Sequence, residues 1–272
     1  MSQENQINKE NSQNINDNKH NNDNNPVNIQ NILEKEDNEV NLDNSNNINS
    51  KYNTEILNVP NEFSEYEINF KIIIIGDSGV GKTCITNQAI KNIFSDKYQA
   101  TIGMEIYSLF IKIDNKIIKF QIWDTCGQEI YKSLITNFYR SSSLAILVYS
   151  IDQKESFYDL DLWIKELKTN NSPDTKLILV GNKLDLEQKR EVQYDEGKKF
   201  SEDYQFIDFF ETSAKTGENI KNMFIKAANI LYEEHIKYKD IESDTSFTTF
   251  RPAHGQTLNK SKPKKIKKNG CC

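Results

Sequence analysis

The sequence predicts a doubly wound α/β domain of about six mostly parallel strands flanked by five helices, set between two disordered tails. Three observations carry that expectation. Strand-like and helix-like segments alternate from residue 68 to residue 237, the pattern of stacked strand–helix–strand units. The runs 72–75, 144–148 and 177–180 contain no polar residue, as parallel strands covered on both faces require. A glycine-rich loop, 76–83, lies where the first apolar strand gives way to the first helix.

The elements follow in order. A strand over 68–75 leads through that loop into a helix over 82–93. Strands over 105–113 and 116–124 are separated only by Asp114-Asn115, a hairpin signal that makes the pair antiparallel. A short helix is expected near 132–139. Strand 144–151, helix 156–169, strand 176–182, helix 195–204 and strand 205–211 come next. The last helix, 219–237, sets Ile220, Met223, Phe224, Ala227, Ala228 and Leu231 on one face at a 3.6-residue period. Ligands of such sheets bind at the carboxyl ends of the strands.

Composition separates the domain from its flanks. The 272-residue chain is 36% hydrophobic and 27% charged, with a net charge of −6. That is polar for a globular protein, but the deficit is local: 20 of the first 60 residues are Asn. Residues 1–65 are therefore expected to be a disordered extension, because they cannot bury enough apolar surface to offset chain entropy. Residues 66–238 form the folded domain. Residues 239–272 form a flexible tail carrying Lys260, Lys262, Lys264, Lys265, Lys267 and Lys268 before a terminal Cys271-Cys272. No apolar run approaches the ~18 residues of a membrane-spanning helix. The N-terminus lacks the apolar core of a secretory signal, and four cysteines make no disulfide framework. A reducing, cytosolic setting is expected, and the acidic total argues against nucleic-acid binding.

The chemistry lies in the strand-end loops. Gly76-Asp77-Ser78-Gly79-Val80-Gly81-Lys82-Thr83 fits G-x-x-x-x-G-K-[ST] in the strand-to-helix context that motif needs. Its backbone N–H groups and the helix N-terminus favour phosphate oxygens, and Cys84 extends the nucleotide-binding stretch by one residue. Lys82 can reach the β- and γ-phosphates, and the Thr83 hydroxyl can ligate Mg²⁺. Asn182-Lys183-Leu184-Asp185 closes another apolar strand. A carboxylate there can accept both the ring N–H and the exocyclic amine of guanine, a donor pair adenine lacks, while the Lys183 stem can cover the base plane. Ser213-Ala214-Lys215 completes the base pocket. Asp124 ends the third strand and can hold Mg²⁺ through water; Gly127 can offer its N–H to a γ-phosphate and Gln128 can orient an attacking water. Thr101, in the loop after the first helix, can contact Mg²⁺ and the γ-phosphate only while the third phosphate exists, which makes an order–disorder switch.

Together these elements resemble the Ras superfamily of small GTPases over residues 68–237, with a P-loop NTPase G domain as the implied fold. The Rab family is the best match within it, through Ile102-Gly103, Lys119-Phe120-Gln121-Ile122-Trp123, Tyr139-Arg140, Leu147-Val148-Tyr149 and the terminal Cys271-Cys272. The resemblance implies a GDP/GTP switch in vesicle traffic, cycling between the cytosol and the cytoplasmic face of an intracellular membrane, Golgi or endosomal. It implies Phe94 stacking near the guanine and Tyr98 closing over the phosphates. It also implies guanine nucleotide exchange factors, GTPase-activating proteins, effectors, prenylation and escort proteins and a GDP-dissociation inhibitor as partners. Four departures stand out: Cys126 where Ala is usual, Ser150 where Asp is usual, and the effector-facing stretches 104–106 and 130–134. Two prenyl chains on Cys271 and Cys272 would supply two-signal anchoring, with the nearby lysines drawn to anionic lipid. The last four residues do not fit C-a-a-X, so lipidation follows from the resemblance. No arginine is placed as an internal finger, so slow intrinsic turnover is expected. Rival readings are a GTP-binding interaction protein with little hydrolysis, suggested by Cys126 and the long N-terminal tract, an ATP-dependent P-loop kinase, opposed by Asp185, and, more distantly, a nucleic-acid-binding tail over 260–268.

Overall fold

The computed structural model describes residues 51–59, 65–97, 101, 103–127, 138–244 and 256–257. The chain divides after Ile48, and all these residues belong to the second unit. Its strands are β1 (Thr54–Leu57), β2 (Ile68–Ile75), β3 (Met104–Ile113), β4 (Lys116–Thr125), β5 (Leu144–Ser150), β6 (Lys176–Asn182), β7 (Asp208–Glu211) and β8 (Gln256–Thr257). The helices are α1 (Lys82–Lys91), α2 (Lys154–Tyr158), α3 (Leu160–Asn170), α4 (Tyr194–Asp203) and α5 (Ile220–Asp244), with a 3₁₀ turn at Leu184–Lys189.

The strand order is β1-β3-β4-β2-β5-β6-β7, with β8 against β2. The β2–β4, β2–β5, β5–β6 and β6–β7 pairs are parallel, and β1–β3 and β3–β4 are antiparallel. The Asp114-Asn115 hairpin forms as expected, with Asp114 at φ 52. Side chains alternate across this sheet by the period of two. Ile72, Ile74, Ile146 and Val180 face α1 and α5, meeting Ile85, Phe224 and Ala228. Ile73, Ile75, Leu147 and Leu179 face the other way, onto Leu160, Trp163 and Ile164 of α3. Each central strand is thus covered on both faces, as its unbroken apolar run requires.

Beyond shifts of one or two residues at element ends, the structure departs from the sequence reading in four places. The extension drawn over 1–65 includes β1, which pairs with β3 from Thr54↔Ile113 to Leu57↔Phe110. Buried Leu57 and the Tyr52–Tyr232 ring contact at 5.3 Å anchor it. The helix expected over 156–169 is two, meeting at Asp159. The strand expected from 205 begins at Asp208, because Gln205 takes a left-handed turn at φ 59. Helix α5 continues to Asp244, and Gln256–Thr257 pair with Ile68–Asn69 inside the tail drawn from 239. Of the short helix expected near 132–139, Phe138 and Tyr139 are helical and the rest lies outside the described residues.

Candidate functional site

Five loops at the carboxyl ends of the parallel strands and beside them converge on a cavity of about 740 Å³, a size typical of small-molecule sites. Gly81, Lys82 and Thr101 line one end; Lys183, Asp185 and Ala214 line the other. Gly79, Thr83, Cys84, Phe94, Gly127 and Lys215 also face it, as the sequence reading expects. Tyr98, Gln128, Cys271 and Cys272 lie outside the described residues.

The phosphate-type loop enters α1 through Gly81, at φ 99. A Cβ there would stand 2.3 Å from Asn182 Nδ2, so only glycine allows the loop to pass this close to β6. Buried Lys82 reaches back along the loop, donating to the carbonyl oxygens of Gly76 at 2.8 Å and Asp77 at 2.6 Å. Burial lowers its ammonium pKa to about 8, against the pull of Asp124 and Asp77. The Trp163 indole of α3 donates to Asp77 Oδ1 at 2.7 Å and ties the loop to the opposite helix layer. Burial raises the Asp77 carboxyl, and the indole bond opposes that rise.

Beside this loop the three residues expected at the metal come together. The Thr83 hydroxyl donates to Asp124 Oδ2 at 2.6 Å and lies 2.7 Å from the Thr101 hydroxyl. Asp124 is fully buried, and its Oδ1 has no hydrogen-bond partner among the described residues. Burial pushes its pKa up to about 6, with the Thr83 bond and Lys82 opposing. An orphaned buried carboxylate oxygen beside two hydroxyls is an all-oxygen set that suits a hard divalent cation such as Mg²⁺. The Cys126 side chain is buried in the core with Ile75 and Tyr139 and is not among the residues that line the cavity.

At the base end one side chain joins three loops. Asn182 Nδ2 donates to Val80 O at 2.8 Å, and its Oδ1 accepts from the Ala214 amide at 3.1 Å and the Thr212 hydroxyl at 3.2 Å. Ser213 is turned to Asp185, donating to Oδ1 at 2.6 Å and fixing the carboxylate's orientation. Lys215 pairs with Asp96 across the rim at 3.7 Å. The sequence reading missed Arg190, which grips Glu211 with two bonds of 2.5 and 2.8 Å and bonds Glu187 as well. That clamp ties the turn after Asp185 to the strand that leads into Ser213. It also missed Trp163, Asn87 and Lys91 at the site; none stands in a motif whose spacing marks it.

A phosphate loop, an oxygen donor set and a carboxylate positioned for a base thus share one cavity. Residues 71–233 match the Ras family. This chain belongs to the Ras family of small GTPases. It is 38% identical over 209 residues to the Ras-related protein YPT3 of Nicotiana plumbaginifolia, and 36% identical over 209 residues to the Ras-related protein RIC2 of Oryza sativa subsp. japonica. Each match covers 76% of this chain and 95% of the relative. Ras-family proteins are generally GTPases that bind guanine nucleotide with Mg²⁺ and act with exchange factors, activating proteins and effectors.

Proposed function

We propose that this Ras-family protein is a Rab-like GDP/GTP switch that hydrolyses GTP slowly and regulates vesicle traffic from the cytoplasmic face of an intracellular membrane. The observation that carries the reading is the Thr83–Thr101–Asp124 cluster. It joins the phosphate loop, the loop after α1 and the end of β4 at one point, so a change in phosphate number acts on Thr101 and Asp124 at once. Bound Mg²⁺ supplies charge neutralisation for the β- and γ-phosphates. Thr83, Thr101 and Asp124 would hold it, Asp124 through water. Lys82 supplies a fixed cation, the Gly127 N–H a γ-phosphate donor, and Asp185 the guanine contact. Gln128 is assigned the orientation of the attacking water. The rival reading, binding with little hydrolysis, rests on Cys126 and the long N-terminal tract; single-turnover phosphate release, with and without an activator, separates the two.

Anchoring is assigned to prenylation of Cys271 and Cys272 with the six lysines before them, and the partners to those that such a cycle needs: an exchange factor, an activating protein, effectors, prenylation and escort proteins and a GDP-dissociation inhibitor. Two experiments test the proposal. Gln128→Leu keeps GTP binding and loses activator-stimulated phosphate release; normal release removes Gln128 from its role. In cells, an organelle-bound fluorescent fusion becomes diffuse when Cys271 and Cys272 are both changed to Ser. Diffuse signal in both forms leaves a soluble switch.

A further inference from the structure

We infer that Asp152 is a positioning residue for the nucleotide, acting through Lys183. The Lys183 backbone is left-handed, at φ 68 and ψ 38, so the direction in which its side chain leaves β6 is set by the chain. The side chain lines the cavity, and its ammonium lies 3.4 Å from Asp152 Oδ1. The two side chains are 29% and 20% exposed, so the pair is partly withdrawn from solvent. The same Oδ1 accepts the Ser150 hydroxyl. Ser150 is completely buried, and its own amide donates to Ser156 Oγ at 3.0 Å. The next amide, Ile151, donates to Asn182 O at 3.0 Å. The loop after β5 is therefore bonded to the end of β6 just before Lys183, and it presents one carboxylate where the ammonium ends. A long side chain held at both ends forms a fixed wall; released at its tip, it regains rotamer freedom and its cover over the base is lost part of the time.

The inference rests on the cavity being a guanine-nucleotide site, and its test separates the two. The full chain is loaded with fluorescent GDP and Mg²⁺, and dissociation is followed after adding excess unlabelled GDP. Asp152→Asn is expected to speed dissociation about 2- to 5-fold, the range of a partly exposed ion pair. In a Lys183→Met background, which keeps the stem and removes the charge, the same Asp152→Asn change is expected to add nothing. Ser150→Asp in the Asp152→Asn protein returns an acid within reach, because the Ser150 hydroxyl already touches the Asp152 carboxylate, and is expected to restore slow dissociation. A merely structural role would show in the melting temperature and persist in the Lys183→Met background. Unchanged dissociation in Asp152→Asn, or an equal effect with and without the Lys183 charge, overturns the role of Asp152. Failure of the unaltered chain to bind the fluorescent GDP overturns the guanine site itself.

Discussion

At the scale of single residues, the site stores electrostatic cost that a ligand can relieve. Lys82 carries the clearest case. Burial holds its pKa at about 8, below its ordinary 10.5. Between those values the unfolded chain binds more protons than the folded one, so this group makes folding more favourable as pH rises through the window, and its burial penalty is fully present below about 8. A polyphosphate beside the ammonium favours the charged form and raises the pKa in the complex. Binding above pH 8 must therefore take up a proton, and affinity must fall by about tenfold per pH unit there. Titration calorimetry at pH 8.5 in buffers of different ionisation enthalpy reads that proton directly; buffer-independent heats would refute the assignment. Gly81 makes a second prediction. Alanine there is strained by φ 99 and meets Asn182 Nδ2 at 2.3 Å, and Asn182 cannot yield without breaking its bonds to Val80 and Ala214. Gly81→Ala should lose about 1–3 kcal/mol of stability and more than tenfold in nucleotide affinity. Chemical denaturation and fluorescent-GDP titration check the two parts.

At the scale of elements, the loops are precise because strands and turns clamp them from outside the cavity. Arg190 and Glu211 are the main clamp, with side chains 10% and 9% exposed. Arg190→Ala leaves a buried carboxylate without its partner, and about 3–5 kcal/mol of stability should go with it. Lysine should recover only part of that loss, since it cannot make the paired bonds; full recovery in a denaturant midpoint would show that charge alone suffices. Pairs of this kind explain what the sequence could and could not disclose. The phosphate loop was legible because its eight residues are contiguous and its spacing is dictated by the phosphate it wraps. The β3–β4 hairpin was legible from two residues for the same local reason. Arg190 and Glu211 are 21 positions apart, and Trp163 and Asp77 are 86 apart; nothing but the fold brings them together. Strand β1 escaped because Thr-Glu-Ile-Leu is four residues in an Asn-rich flank, and its partner strand lies more than 50 residues further on. Leu57→Ala, at a position 5% exposed, should cost about 2–3 kcal/mol if this strand belongs to the fold.

At the scale of the molecule, the cavity is a seam between two groups of loops carried by one continuous sheet. The phosphate loop hangs between β2 and α1, and the base loops hang from β6 and β7. Asn182 is the side chain that joins them, through Val80 on one side and Ala214 on the other. A ligand long enough to touch both Lys82 and Asp185 adds a second strut across that seam, so its binding free energy becomes global stability. Occupancy at a thousand times Kd adds about 4 kcal/mol, which for a domain of this size corresponds to roughly 8–16 °C in melting temperature. GDP with Mg²⁺ should produce a shift of that order. ATP should shift the transition far less, because it lacks the donor pair that the Asp185 carboxylate accepts, and Asp185→Asn should lose most of the GDP shift. Chelating Mg²⁺ should shrink the GDP shift, since Asp124 then keeps its uncompensated buried oxygen beside the phosphates. A thermal scan of the four conditions decides between a strut that spans the seam and a phosphate site alone: equal shifts with GDP and ATP would mean that the base loops take no part in binding.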